Sequence, residues 1–291
     1  MPKINWYPGH MAKTRRLLQD QLRAVDAVIE LCDARAPLAT RNPDLARLTQ
    51  GKARILILNK ADLADDAQTA CWLEHFRREG LTALRFNSNG GKIKDILGKI
   101  EQATRPAVER YAARGVKKTI RTMVIGIPNV GKSTFINRLY GGAVVKAADR
   151  PGVTRANTWV KLRPYLEVLD TPGMLPPRMD DQESAKLLAY LGSIRDQIMD
   201  TEELAGGLLQ RLYEVAPAAA AARYKLGDAP GTEPHELMEA ACRGRGWLLS
   251  GARYDMDRAS ALILDEFRAG KVGKITIQPL NARRADGEAD E

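Results

Sequence analysis

The segment Gly126–Ser133 has the residue types and spacing of a loop that binds nucleotide phosphates. It reads GIPNVGKS and fits the pattern GxxxxGK[ST]. We predict that it follows a strand over Met123–Gly126 and precedes a helix that begins near Lys132. Its glycines let backbone N–H groups face the phosphates at a helix N-terminus. We expect Lys132 to contact the β- and γ-phosphates and Ser133 to bind Mg²⁺. The predicted contact residues are Asn129, Val130, Gly131, Lys132, Ser133 and Thr134.

A second phosphate-side motif is Asp170-Thr171-Pro172-Gly173, which ends a strand predicted over Tyr165–Leu169. An aspartate at this place holds Mg²⁺ through a water molecule, and the Gly173 N–H meets the γ-phosphate. Such a tetrapeptide is by itself a weak turn signal. It becomes a strong signal because it ends a buried strand downstream of a phosphate loop.

A base-recognition loop is predicted at Asn59-Lys60-Ala61-Asp62, after a strand over Ile55–Leu58. The Asp62 carboxylate can accept two hydrogen bonds from guanine N1 and N2, which adenine cannot supply. Leaving those acceptors unpaired costs about 1–3 kcal/mol each, so the site should reject ATP. We expect Asn59 to connect this loop to the phosphate loop, and the Lys60 stem to lie along the base and ribose.

Two weaker elements complete the predicted site. Asn87 and Ser88 follow a strand predicted over Leu84–Asn87 and are candidates to back the guanine, although the same residues are typical of an ordinary turn. Thr154 lies between the phosphate loop and Asp170 and is the candidate switch threonine for Mg²⁺ and the γ-phosphate. The alternative is that Thr154 is an ordinary loop residue.

The elements around these motifs alternate between buried strands and helices, which predicts an α/β fold with a mostly parallel sheet. We place this domain at residues 26–178, after an N-terminal segment 1–25 that packs on or near it. A small helical domain is predicted over residues 179–280, followed by a disordered tail 281–291. Predicted helices lie at Asp66–Arg78, Gly91–Tyr111, Gln182–Leu191, Thr201–Val215, Pro234–Ala241 and Asp257–Ala269.

The motifs occur in an unusual order, with the base loop ahead of the phosphate loop. Circular permutation of a P-loop (Ras-like) GTPase domain explains this order, because domain termini often lie close together and can be joined. The joining segment would be around Arg105–Lys118. A consequence is that the chain after Gly173 leads directly into the helical domain, which couples sensing of the γ-phosphate to that domain.

The composition of the chain limits the classes of protein to which it can belong. The chain has 291 residues, a net charge of +9 and three cysteines without a CxxC pair, so neither a disulfide framework nor a zinc site is indicated. No apolar run approaches the roughly 18 residues of a membrane helix. The basic excess favours a polyanionic partner, and the alternative is a basic face that is merely solvated.

The sequence resembles the YlqF/RbgA-type ribosome biogenesis GTPases. The resemblance rests on the permuted order, on Trp6-Tyr7-Pro8-Gly9-His10-Met11, and on Asp33-Ala34-Arg35 with Pro37 and Arg41-Asn42-Pro43, and it covers the chain to about Leu280. It implies GTP hydrolysis with Mg²⁺ and a role in assembly of the large ribosomal subunit, with ribosomal RNA as partner. We expect a cytoplasmic protein, monomeric when free. Alternatives are a permuted GTPase acting on the small subunit or another RNA, and a GTP-sensing RNA-binding module with little turnover.

Position 174 is Met174, where Ras-like enzymes carry a water-orienting glutamine, so intrinsic hydrolysis should be slow. The resemblance implies that His10 acts in catalysis, and the alternative is that His10 only packs or contacts RNA. It also implies that Asn129 is a ligand of K⁺, because it matches the asparagine of potassium-using GTPases.

Overall fold

The computed structural model of the protein describes residues 16, 18–42, 45–87, 90, 93–141, 158–163, 165–170, 182–194, 200–227 and 231–280. Thr158 and Asp170 are described by their backbone.

A six-stranded sheet forms the centre of the N-terminal part, in the order β3-β2-β1-β4-β6-β5. All neighbouring strands are parallel except β5 and β6, which pair in antiparallel fashion. Every residue of β1 is buried, as expected of a central strand covered on both faces. The strands are β1 (Ala27–Asp33), β2 (Ala53–Asn59), β3 (Thr82–Arg85), β4 (Ile120–Ile125), β5 (Thr158–Arg163) and β6 (Leu166–Asp170).

Ten helices are described. Several begin at an aspartate whose side chain accepts a hydrogen bond from the first turn, as at Asp65, Asp200 and Asp255, which stabilises a helix N-terminus. The helices are α1 (residues 18–23), α2 (Leu45–Leu48), α3 (Asp66–Arg78), α4 (Ile93–Ala112), α5 (Lys132–Tyr140), α6 (Gln182–Tyr190), α7 (Thr201–Val215), α8 (Pro217–Tyr224), α9 (Pro234–Arg245) and α10 (Met256–Arg268).

The predicted α/β architecture with a mostly parallel sheet and a following helical region is confirmed. β3 differs from its prediction, since it ends at Arg85 and Asn87 lies in the loop beyond it. The structure adds α1, α2, β5 and α8, which were not predicted from the sequence. β5 alternates between exposed and buried residues, with Trp159 on the exposed face and Val160 buried, a pattern of edge strands.

The helical region, residues 182–280 as described, packs directly against the sheet domain. Its largest apolar cluster includes Leu208, Leu237 and Ile263 from three helices together with Ala36 and Ala39 from the loop after β1. The two parts therefore meet in a shared apolar cluster, and the domain limits at 26, 179 and 281 stay predictions. Among the described helices, none is long and apolar enough to cross a membrane.

Candidate nucleotide-binding site

The predicted nucleotide residues meet at the carboxyl edge of the parallel sheet. The base loop, residues 59–62, follows β2, and the phosphate loop, residues 126–133, follows β4. The backbone of Asp170 ends β6 opposite Val124 of β4. Ligands of open α/β sheets bind outside the carboxyl ends of the strands, so the topology gathers these segments where a nucleotide can contact all of them.

The glycines of the phosphate loop occupy places that a larger residue cannot take. A Cβ on Gly126 would lie 2.6 Å from the Leu31 carbonyl oxygen, and one on Gly131 would lie 2.6 Å from Asn59 Nδ2. Gly131 also has a φ of 92° and is the N-cap of α5. Because it has no side chain to bond to the first-turn N–H groups, those donors face the loop. This cradle fits a phosphate group.

Lys132 lies at the first position of α5 with its side chain under the loop. It is 7% exposed, and its Nζ donates to the Ile127 carbonyl oxygen at 2.9 Å. Ser133 and Thr134 follow in the first turn and are half-buried. An ammonium group and a hydroxyl held beside a helix N-terminus are suited to phosphate oxygens and to Mg²⁺ respectively.

The base loop and the phosphate loop are joined by side-chain hydrogen bonds. Asn59 Nδ2 donates to the Val130 carbonyl oxygen at 2.8 Å, which is the connection that the sequence predicts for Asn59. Lys60 Nζ donates to the Asn129 carbonyl oxygen at 2.7 Å. Ala61 N donates to the Phe86 carbonyl oxygen at 3.2 Å, which brings Asn87 to the same edge of the sheet as the base loop. Asp62, the last residue of the base loop, is half-buried.

A buried carboxylate that the motif analysis did not assign to the site lies beneath the base loop. Asp33, at the end of β1, has its Oδ2 3.3 Å from Lys60 Nζ. Its two oxygens accept hydrogen bonds from Arg35 Nε at 3.0 Å and Nη2 at 2.8 Å. Burial alone would raise the pKa of Asp33, but the charges of Arg35 and Lys60 outweigh it and hold that pKa well below its ordinary value.

Arg35 connects this carboxylate to the helical region. Its Nη1 donates to the carbonyl oxygens of Phe267 at 3.2 Å and Arg268 at 3.4 Å, at the end of α10. The guanidinium carbon lies 5.1 Å from the Phe267 ring centroid, a cation–π distance. In the sequence, Asp33 and Arg35 are visible only as part of a family resemblance, and the partners of Arg35 in α10 lie more than two hundred residues away.

The segment after α10, residues 270–280, runs back across the sheet domain, and we call it the C-terminal strap. Ile275 N donates to the Leu63 carbonyl oxygen at 3.0 Å, and Gln278 N donates to that of Arg35 at 3.2 Å. Trp72 Nε1 donates to the Gln278 carbonyl oxygen at 2.9 Å. The strap thus fixes the base side of the site from outside.

The phosphate side is connected to the helical region through Asn129. This residue has a φ of 62°, and its Nδ2 donates to the Gly192 carbonyl oxygen at 2.6 Å. Gly192 follows α6, whose end is held by Arg268: Nε donates to Tyr190 O at 3.1 Å and Nη2 to Ala189 O at 2.9 Å. Asn129 uses its amide nitrogen here, whereas K⁺ would be bound by an amide oxygen.

Four predicted residues lie outside the described part of the chain, namely His10, Ser88, Thr154 and Gly173. Asp170 is described by its backbone, which is placed as the prediction requires. The binding and catalytic roles of all the named site residues stay predictions.

Comparison with known proteins gives consistent matches over most of the chain. A family model described as "50S ribosome-binding GTPase" matches residues 121–203. Ribosome biogenesis GTPase A of Priestia megaterium is 41% identical over 277 residues, covering 94% of this chain and 96% of the relative. The protein of the same name from Bacillus cereus is 40% identical, covering 94% and 93%. Mitochondrial ribosome-associated GTPase 1 of Bos taurus is 32% identical, covering 94% and 87%.

Solved structures of YlqF share the architecture. The GDP-bound TM YlqF structure has a TM-score of 0.68 and 27% identity, covering 91% of this chain and 99% of that one. The GNP-bound YlqF structure from T. maritima has a TM-score of 0.63 and 30% identity, covering 92% and 98%. These matches cover most of the chain, and they agree with the phosphate cradle and base loop that are joined at one edge of the sheet. The chain therefore belongs to the ribosome biogenesis GTPase A family and is a GTPase that acts on a guanine nucleotide.

Proposed function

We propose that this GTPase is an assembly factor for the large ribosomal subunit, which binds in its GTP state and is released on hydrolysis. The observation that carries the proposal is the connection of both sides of the nucleotide site to the helical region. The base side is connected through Arg35 and the phosphate side through Asn129. A change at the phosphates can therefore alter the surface that the helical region offers to a partner. The match to a family described as 50S ribosome-binding supports the choice of the large subunit.

Within the site, each residue has a proposed task. Asp62 selects guanine, Lys60 lies along the base and ribose, and Asn87 with Ser88 backs the base. Lys132 and the N-terminus of α5, including Val130, Gly131 and Thr134, hold the phosphates. Ser133, Thr154 and Asp170 would hold Mg²⁺, and the Gly173 N–H would sense the γ-phosphate.

The bound Mg²⁺ supplies charge neutralisation at the phosphates, and Asn129 is proposed to hold a K⁺ that adds to it. For this role Asn129 Oδ1 must face the phosphates while Nδ2 keeps its bond to Gly192. The test is GTP turnover in K⁺ and in Na⁺ at equal ionic strength. We expect faster turnover in K⁺, and equal rates would rule out the K⁺ role.

Intrinsic hydrolysis is proposed to be slow, because Met174 cannot orient a water by hydrogen bonding. We propose that partner binding brings His10 toward the attacking water. In this case His10→Ala should lose the stimulated rate and keep GTP affinity. If His10→Ala retains full stimulated turnover, His10 is not catalytic.

The assembly role is tested by GTP turnover in K⁺ buffer, with the protein alone and with purified large or small ribosomal subunits. We expect strong stimulation by the large subunit and little by the small one. Stimulation by the small subunit alone would show that the small subunit is the partner. Stimulation by neither would leave a GTPase whose activator lies elsewhere.

A further inference from the structure

The second half of α4 stands away from the sheet. The buried residues of α4 are Ile96, Leu97, Ile100 and Thr104. After Thr104, every residue to Lys117 is exposed except half-buried Ala107. These are the last turns of the helix and the connection to β4, which we call the α4 tip, residues 105–118. A helix that continues beyond its buried stripe offers its whole circumference to a partner.

The α4 tip is strongly basic. It carries five cationic residues and one acidic residue: Arg105, Arg110, Arg114, Lys117 and Lys118 against Glu109. Arg105 pairs with Glu109 at 2.8 Å, and Lys118 pairs with Asp26 at 2.9 Å. Among the described residues, no carboxylate pairs with Arg110, Arg114 or Lys117. Three cations at one helix end are thus available to anions.

Exposed aromatic and aliphatic groups lie among these cations. Tyr111 is 36% exposed, and Lys118 Nζ lies 4.3 Å from its ring centroid. Val108 and Val116 are exposed as well. Tyr165, at the turn before β6, is oriented toward α4 by a hydrogen bond from its hydroxyl to Glu101. Planar rings beside arginines are the features on which unpaired bases stack.

A groove runs beside the α4 tip. It has a volume of about 430 Å³ and is lined by Arg105 and Val108 of α4, by Ile120 and Leu166 at the starts of β4 and β6, and by Tyr165. Its floor is apolar, and its rim carries the Arg105 cation, the Tyr165 phenol and the Glu101 carboxylate to which that phenol is bonded. This combination suits a nucleobase with its adjoining phosphate better than an acidic peptide, which has no flat apolar group to place there.

We propose that the α4 tip and this groove form a binding surface for single-stranded RNA, with Arg110, Arg114 and Lys117 on phosphates and Tyr111 and Tyr165 on bases. The proposal deepens the assembly role and rests on it for the choice of RNA as partner. The surface lies at the start of β4, whereas the phosphate loop follows the end of that strand, about 20 Å away. RNA affinity at the α4 tip is therefore expected to be the same with GDP and with a GTP analogue.

The test uses the full chain and a fluorescent RNA of about 12 nucleotides, close to the site size of single-strand binding proteins. Arg110→Gln with Arg114→Gln should weaken binding about tenfold and lower the salt slope by about 1.4, since each lost phosphate contact on single strands contributes about 0.7. The matched control is Arg77→Gln with Arg78→Gln, which removes the same charge from α3, where both arginines lie beside Glu74. The control should stay within about twofold of wild type.

Stacking is tested separately. Tyr111→Ala should weaken RNA binding about fivefold or more, and Tyr111→Phe should restore it, because a phenyl ring stacks as a phenol does. Unchanged GDP affinity and melting temperature show that each variant is folded. An equal loss in the α3 control, no loss in Tyr111→Ala, or displacement of the RNA by polyglutamate at equal charge overturns the proposal. Because this readout needs no ribosomal subunit, it remains decisive even if subunits fail to stimulate turnover.

Discussion

The two sides of the nucleotide site are connected to the helical region by different kinds of contact. On the base side, Arg35 pairs with buried Asp33 and reaches the end of α10, and the strap closes over it. On the phosphate side, the contact is a hydrogen bond between neutral groups, from Asn129 to the Gly192 carbonyl. Removing Arg35 breaks its buried ion pair with Asp33 as well as its bonds to α10, at a cost of about 3–5 kcal/mol. The neutral hydrogen bond on the phosphate side contributes about 0.5–1.5 kcal/mol. We infer that the base side is fixed and that the phosphate side is adjustable.

The largest effect is expected from Arg35→Met. This change leaves the Asp33 carboxylate buried beside Lys60 alone, so the free energy of unfolding should fall by about 3–5 kcal/mol in urea titrations. Arg85→Met is the matched control, because Arg85 pairs with Asp66 on the surface and such pairs contribute about 0–1 kcal/mol. Similar losses in the two variants would show that the base side is not fixed by its buried pair.

Next in size is the effect of Asp62→Asn on nucleotide selectivity. The amide presents an N–H group to guanine where a carboxylate would accept, so GTP and GDP should both bind about 30-fold more weakly, which corresponds to about 2 kcal/mol. Xanthosine nucleotides should gain affinity. Glu74→Gln, a charge loss on an exposed part of α3, serves as control. Unaltered nucleotide selectivity in Asp62→Asn would show that Asp62 does not recognise the base.

A smaller effect is expected at the phosphate side from Gly192→Ala. Gly192 has a φ of 68°, and a Cβ there would lie 3.2 Å from Arg268 Nε. Gly251→Ala is the matched control, with a φ of 77° and nothing within 4 Å of the added Cβ. Both should lose about 1 kcal/mol from the backbone conformation.

Beyond that shared loss, Gly192→Ala alone should change the ratio of GTP to GDP affinity, measured by titration with fluorescent nucleotides. Equal ratios of GTP to GDP affinity in the two glycine variants would mean that the Asn129–Gly192 contact does not respond to the γ-phosphate.

The smallest effect concerns pH. Asp33 has a pKa below its unfolded value of about 3.9, so it is ionised in both states between pH 5 and 8. The stability difference between wild type and Asp33→Asn should be constant in that range. It should shrink as the pH falls below about 4, because the unfolded carboxylate then takes up protons. A difference that varies between pH 5 and 8 would show that Asp33 is not held ionised by Arg35 and Lys60.

Local patterns in the sequence account for much of the site. The glycine and lysine spacing of the phosphate loop, and the buried strands before both loops, identified the elements and the Asn59 connection correctly. These features are local in sequence, with each motif adjoining the strand that positions it. The limits of α7 also followed from local spacing.

The contacts that Arg35 makes with α10 and that Gly192 makes with Asn129 could not be predicted in the same way. Arg35 meets carbonyl oxygens of Phe267 and Arg268, which any residue type would supply. Gly192 accepts a hydrogen bond through its backbone as well. Such partners leave no signature in residue type or spacing, and only the packing of the helical region against the sheet reveals them.

The most direct test of the fixed and adjustable sides is hydrogen–deuterium exchange with GDP and with a non-hydrolysable GTP analogue. Exchange at Gly192 and Ser193, whose amides bond within the turn after α6, should change between the two nucleotides. Exchange at Ile275 and Gln278, whose amides bond to the base side, should stay the same. A change confined to the strap, or no change at either place, would contradict the account.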